Sequence, residues 1–95
     1  MTDPLEVRTR LLDHAKAVVT DRNDTYGDPL ADFRRIAAMW TALFGTPIDP
    51  HQVAMAMACL KLSRMVEAPG HRDNWLDLAG YAACGWHCAT EATDV

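Results

Sequence analysis

Three Asp-Pro pairs, Asp3-Pro4, Asp28-Pro29 and Asp49-Pro50, fix where helices can begin along this chain. An aspartate side chain accepts hydrogen bonds from the free N–H groups of a first helical turn. A proline fits the first helical position because no donor is needed there and its φ is already helical. Glu6 and Gln52 stand three residues after the first and third aspartates, which completes a capping-box pattern. Each pair therefore predicts a helix start.

Apolar periodicity fills in the segments and predicts helices over about 3–20, 28–44, 49–68 and 73–90. Leu11, Ala15, Val18 and Val19 form an inner face on the first. Phe33, Ile36, Ala37, Trp40 and Phe44 recur at the 3.6-residue period on the second, with Gly45 placed to end it. The third segment, "VAMAMACLKL", is apolar around nearly its whole circumference, and such a helix is covered on most sides. Four helices in 95 residues cannot surround one of their own, so the surplus face predicts a subunit contact. Pro69-Gly70 ends this helix. Asp73 caps the fourth, whose Gly80 and Gly85 each cost about 1 kcal/mol of helix propensity relative to alanine. Gly80, Ala83 and Cys84 leave one side nearly bare, which predicts close approach of a helix or a ligand there. A polar loop, "DRNDTYG", with a Tyr26-Gly27 turn joins the first two helices, and the last few residues are expected to fray. The expected fold is one all-α domain, a four-helix antiparallel bundle completed by oligomerisation.

Composition bounds the function. Thirteen acidic residues against nine Lys and Arg leave a net charge of −4, the wrong sign for general binding to a nucleic-acid polymer. Any anion site must be a local basic cluster. No signal-peptide pattern and no apolar run of membrane-spanning length stand in the sequence, so the expected location is the cytoplasm, with no membrane partner. Three cysteines, Cys59, Cys84 and Cys88, form no disulfide framework. Cys84 and Cys88 lie one helical turn apart, but His87 points off their face, and four converging ligands are lacking. They read as small core residues.

Lys61 and Arg64 project from one face of the third helix. Lys61 stands inside the apolar run, where an ammonium must pair with a carboxylate, hold an anionic ligand or reach water along its stem. Asp73 and Asp77, one turn apart with Tyr81 continuing their row, could share a divalent cation; equally, Asp73 caps the helix and Asp77 pairs with Lys61 or Arg64. His71 and Arg72 lie beside the positive end of the fourth helix, a seat for phosphate. Glycine-rich phosphate loops, nucleophile triads and CxxC pairs are not found in the sequence.

The stretches "DRNDTYGDPLADFRRIAAMW", "MACLKLSRM" and "GHRDNWLDLAGYAA" resemble a set of small proteins of phages and prophages. The resemblance runs from about Leu11 to Cys88. That set in turn looks like a distant branch of the MazG-like all-α nucleotide pyrophosphohydrolases, helical dimers or tetramers that use Mg²⁺ held by acids on two helices. The resemblance puts Asp77 in the aspartate position of their Glu-x-x-Asp pair and Asn74 in place of the glutamate. Where their first acidic motif should lie, this chain has "CLKLSRM", so Lys61 and Arg64 occupy ground expected to be negative. Neither can ligate Mg²⁺, but both can hold phosphate oxygens.

Three readings follow. In the first, the protein binds a nucleotide or nucleotide-derived signal through Lys61, Arg64, His71, Arg72 and Tyr81, with Tyr26 or Trp75 as aromatic support; it needs no cofactor and can sequester the ligand in the host bacterial cytoplasm. In the second it is a Mg²⁺-dependent (d)NTP pyrophosphohydrolase, with Asp77 and Asp73 holding the metal, assisted by Asp24. In the third the charges form an internal network and the protein is a helical interaction module.

Overall fold

Asp3, Asp28 and Asp49 each hold extended backbone ahead of a proline, and a helix follows every one of them. The computed structural model describes residues 3–92. Its helices are α1 (Pro4–Tyr26), α2 (Pro29–Phe44), α3 (Pro50–Glu67) and α4 (Arg72–Ala92), with no strand among the described residues. Asp3 and Asp28 accept from the N–H groups of Leu5 and Leu30, each at 2.9 Å. At α3 the Asp49 N–H donates to Gln52 Oε1 at 2.8 Å, so the predicted box forms. Glu6 pairs with Arg10 at 3.5 Å on the exposed face of α1.

α1 is longer than its sequence predicts. Asp, Asn and Thr favour turns because their side chains compete for backbone groups, yet "DRNDTY" stays helical and the expected loop shrinks to Gly27 and Asp28. Gly27 ends the helix at φ 83°, its N–H donating to Asn23 O at 2.9 Å. Gly45 ends α2 in the left-handed conformation at φ 71°, and Thr41 Oγ1 accepts from the Ile48 N–H at 2.9 Å to fasten the turn into α3. α4 begins one residue earlier than predicted, so Arg72 is its first residue and Asp73 lies in the first turn rather than capping it. The expected fraying at the C-terminus falls on residues 93–95, outside the described residues.

α3 and α4 form the main helix pair and run antiparallel: Ala54 meets Gly85 near one end and Lys61 meets Asp77 towards the other. α1 rests chiefly on α4 but runs in the same direction, His14 against Arg72 and, further along, Arg22 near Cys84. The bundle is therefore not antiparallel throughout. Leu30, Phe33 and Ala37 of α2, Val53 and Ala54 of α3, and Cys88 of α4 form the core, ringed by Ile36, Trp40, Ile48, Tyr81 and Cys84. Ala15 is buried on α1, and Leu11, Val18 and Val19 beside it are half-buried, which matches the predicted inner face. Phe44, predicted for the core stripe of α2, is the last residue of the helix and is exposed.

The predicted close approach occurs at Gly85, not at Gly80. A Cβ on Gly85 would stand 2.9 Å from the Ala54 Cβ, whereas one on Gly80 would meet nothing within 4 Å. No helix among the described residues is long and apolar enough to cross a membrane.

Candidate functional site

The turn between α3 and α4 collects four of the predicted site residues. Lys61 and Arg64 come from the last two turns of α3, His71 from the connection, and Arg72 from the start of α4. Pro69 and Gly70 prevent continuation of α3 and force this corner. His71 N–H donates to Ala68 O at 3.1 Å, and His71 O accepts from the Asn74 N–H at 3.2 Å, which fixes the imidazole-bearing residue at the mouth of α4. Arg64, His71 and Arg72 are all exposed. The corner is open, its basic side chains standing beside the exposed carboxylates of Glu67 and Asp73 at the positive pole of a helix.

Lys61 answers the question posed by its apolar surroundings. Its Nζ lies 2.9 Å from Asp77 Oδ2; the lysine side chain is 11% exposed and the aspartate 35%. The pair neutralises the carboxylate that the MazG-like resemblance would assign to Mg²⁺. Asp73 stands exposed one turn earlier. Among the described residues, no three of His, Cys, Asp and Glu converge in a way that could hold a metal ion.

The aromatic residues divide. Trp75 donates its indole N–H to Pro69 O at 2.8 Å, so its ring braces the corner. Tyr81 packs against the core and lines an apolar groove further along α4. Tyr26 is 83% exposed at the end of α1. Because α1 and α4 run in one direction, Tyr26 lies towards the opposite end of the molecule from the corner, with Asp24 beside it on the helix. Neither reaches the other predicted site residues. Asn74, in the glutamate position of the resemblance, is buried.

Two site-related residues carry no sequence signal. His14 Nδ1 accepts from the Arg72 guanidinium at 2.5 Å, which ties α1 to the corner; arginine can only donate, so this nitrogen bears the lone pair. Only the helix direction brings these residues, 58 positions apart, together. His51 Nδ1 is buried without a hydrogen-bond partner among the described residues. Burial raises the Cys84 thiol pKa, partly offset by Arg22, and raises that of Cys88, with further increases from Cys84 and Asp28. Both cysteines are thus neutral packing groups, as the sequence predicts.

A family described as a domain of unknown function, DUF6378, matches residues 10–89. The chain belongs to this family. It is 33% identical over 75 residues to the Gene 55 protein of Mycobacterium phage D29, covering 78% of the chain and 50% of that protein. It is 40% identical over 62 residues to the Gene 55 protein of Mycobacterium phage L5, covering 64% of the chain and 40% of that protein. The chain thus spans half or less of the length of these relatives. No solved structure matches. The DUF6378 match takes in the whole α3–α4 corner and the core, and the relatives agree with the phage and prophage proteins that the sequence resembles.

Proposed function

We propose that this DUF6378 protein is a phage-type nucleotide-binding module. It holds a nucleotide, or a signal derived from one, by its phosphates at the α3–α4 corner and sequesters it without cleaving it. The observation that carries this reading is the division of charge at the corner. Arg64, His71 and Arg72 stay exposed around the corner, alongside the exposed Glu67 and Asp73, while Asp77 is held by Lys61. Phosphate oxygens then meet guanidinium and imidazole donors with the positive end of α4 behind them. The distant MazG-like resemblance supports a nucleotide as the anion, and the surplus apolar surface supports a homo-oligomeric assembly.

Thermal-shift and calorimetric titrations test this against mono-, di-, tri- and cyclic nucleotides, with and without Mg²⁺. At least one should raise the melting temperature without the metal. Arg64→Ala and Arg72→Ala should each weaken its binding roughly tenfold, as loss of one charged hydrogen bond of about 1.5 kcal/mol implies. If every nucleotide leaves the melting temperature unchanged, the reading fails. If Mg²⁺ brings release of pyrophosphate from a nucleoside triphosphate, sequestration gives way to hydrolysis.

A further inference from the structure

The chain exposes 6897 Å², whereas a folded monomer of 10.5 kDa exposes about 5,400 Å². The surplus, about 1,500 Å², is what one subunit loses in an obligate homodimer, where interfaces bury about 2,000–5,000 Å² in total. Part of the exposed apolar surface follows one face. On α3, Met55 (61% exposed), Leu62 (50%) and Val66 (81%) stand with Cys59 at helical spacings of three and four, the spacing of a helix seam. Beside them α3 and α4 form an apolar groove of about 250 Å³, floored by Ala54, Ala58, Ala82, Gly85 and Ala89 and walled by Met55 and Trp86. Trp86 is 71% exposed, a large anchor with nothing on its outer side. His51, whose Nδ1 is buried without a partner among the described residues, lies at the end of the same groove.

We propose that this face is where a second copy of the chain docks, the Met55–Val66 strip of each α3 lying against that of the other, with Trp86 at the groove edge. At this patch charge does not oppose self-pairing. A two-fold contact sets each patch against its own copy, and copies with a net charge of −4 repel. The strip and the groove carry no acidic or basic side chain apart from His51, so neither like charge nor an unpaired ion is buried. The inference does not rest on nucleotide binding, and its test uses no ligand.

Light scattering on eluting protein, from micromolar to hundreds of micromolar, should give at least twice 10.5 kDa. Leu62→Glu and Trp86→Glu should each halve that mass with helical circular dichroism retained, while Leu43→Glu, on the outer face of α2, should leave it unchanged. Where an acidic variant unfolds, the wild-type protein decides. A bis-maleimide should join two copies through the exposed Cys59, and Cys59→Ser should abolish the doubled band. A monomer across the whole range overturns the proposal and gives the face to a different chain. An assembly that Leu43→Glu dissociates and Leu62→Glu does not, or that Cys59 fails to cross-link, also overturns it.

Discussion

Lys61 shows how much one buried charge depends on one neighbour. Its apolar setting makes a partner necessary, and Asp77 supplies it at 2.9 Å. Removing one member of a buried pair costs about 3–5 kcal/mol; because Asp77 is a third exposed, Asp77→Asn should cost about 2 kcal/mol in urea denaturation. The double variant Lys61→Met, Asp77→Leu should recover most of that loss. The glycines of α4 separate in the same experiment. Gly80→Ala, facing open space, should stabilise by about 1 kcal/mol. Gly85→Ala sets a Cβ 2.9 Å from that of Ala54 and should destabilise by about 1–3 kcal/mol through overpacking. Sequence alone gives both glycines the same propensity cost and points to Gly80 for the close approach; the helix register gives it to Gly85. The thiols carry a pH dependence with a definite sign. Cys84 and Cys88 hold their protons more tightly when folded, so the native state binds more protons than the unfolded chain as pH rises above about 8.5. Melting temperature should fall over that alkaline window, and less so in Cys84→Ala.

At the scale of elements, the three Asp-Pro starts were legible because each rests on local chemistry, a cap and a fixed φ. The stop of α1 was not. Its Asp, Asn and Thr residues weigh locally against helix, yet the helix runs on, exposed, to Tyr26, and Thr20 satisfies its hydroxyl on Lys16 O at 2.9 Å. Helix direction was also beyond local reading, and with it the His14–Arg72 contact and the isolation of Tyr26. The corner itself was legible, since Pro69-Gly70 marks it and Lys61, Arg64, His71 and Arg72 flank it within twelve positions of sequence. α1 is the least supported element: before Leu11 every described residue is exposed. Hydrogen exchange should therefore release the amides of residues 8–13 well before those of α3, because local opening there breaks few buried contacts. Equal protection along α1 and α3 would show that α1 is covered by more than α4.

The whole molecule has a radius of gyration of 14.9 Å and extents of 51 × 29 × 26 Å, against about 12 Å for a compact chain of this length. So small a core, shared by three helices, leaves folding of one copy close to marginal. If docking of a second copy covers the α3–α4 face, folding and association are linked, and the melting temperature should climb with protein concentration. A concentration-independent value would mean that the single chain holds itself together. The division between a charged corner and an uncharged strip has a further result. Counter-ions screen exposed charges over about 3 Å at molar salt, whereas strong salting does not loosen apolar contact. If the corner holds an anionic ligand and the strip pairs two chains, raising sodium chloride to molar levels should release the ligand and leave the pair intact, so that ionic strength would empty the protein without taking it apart.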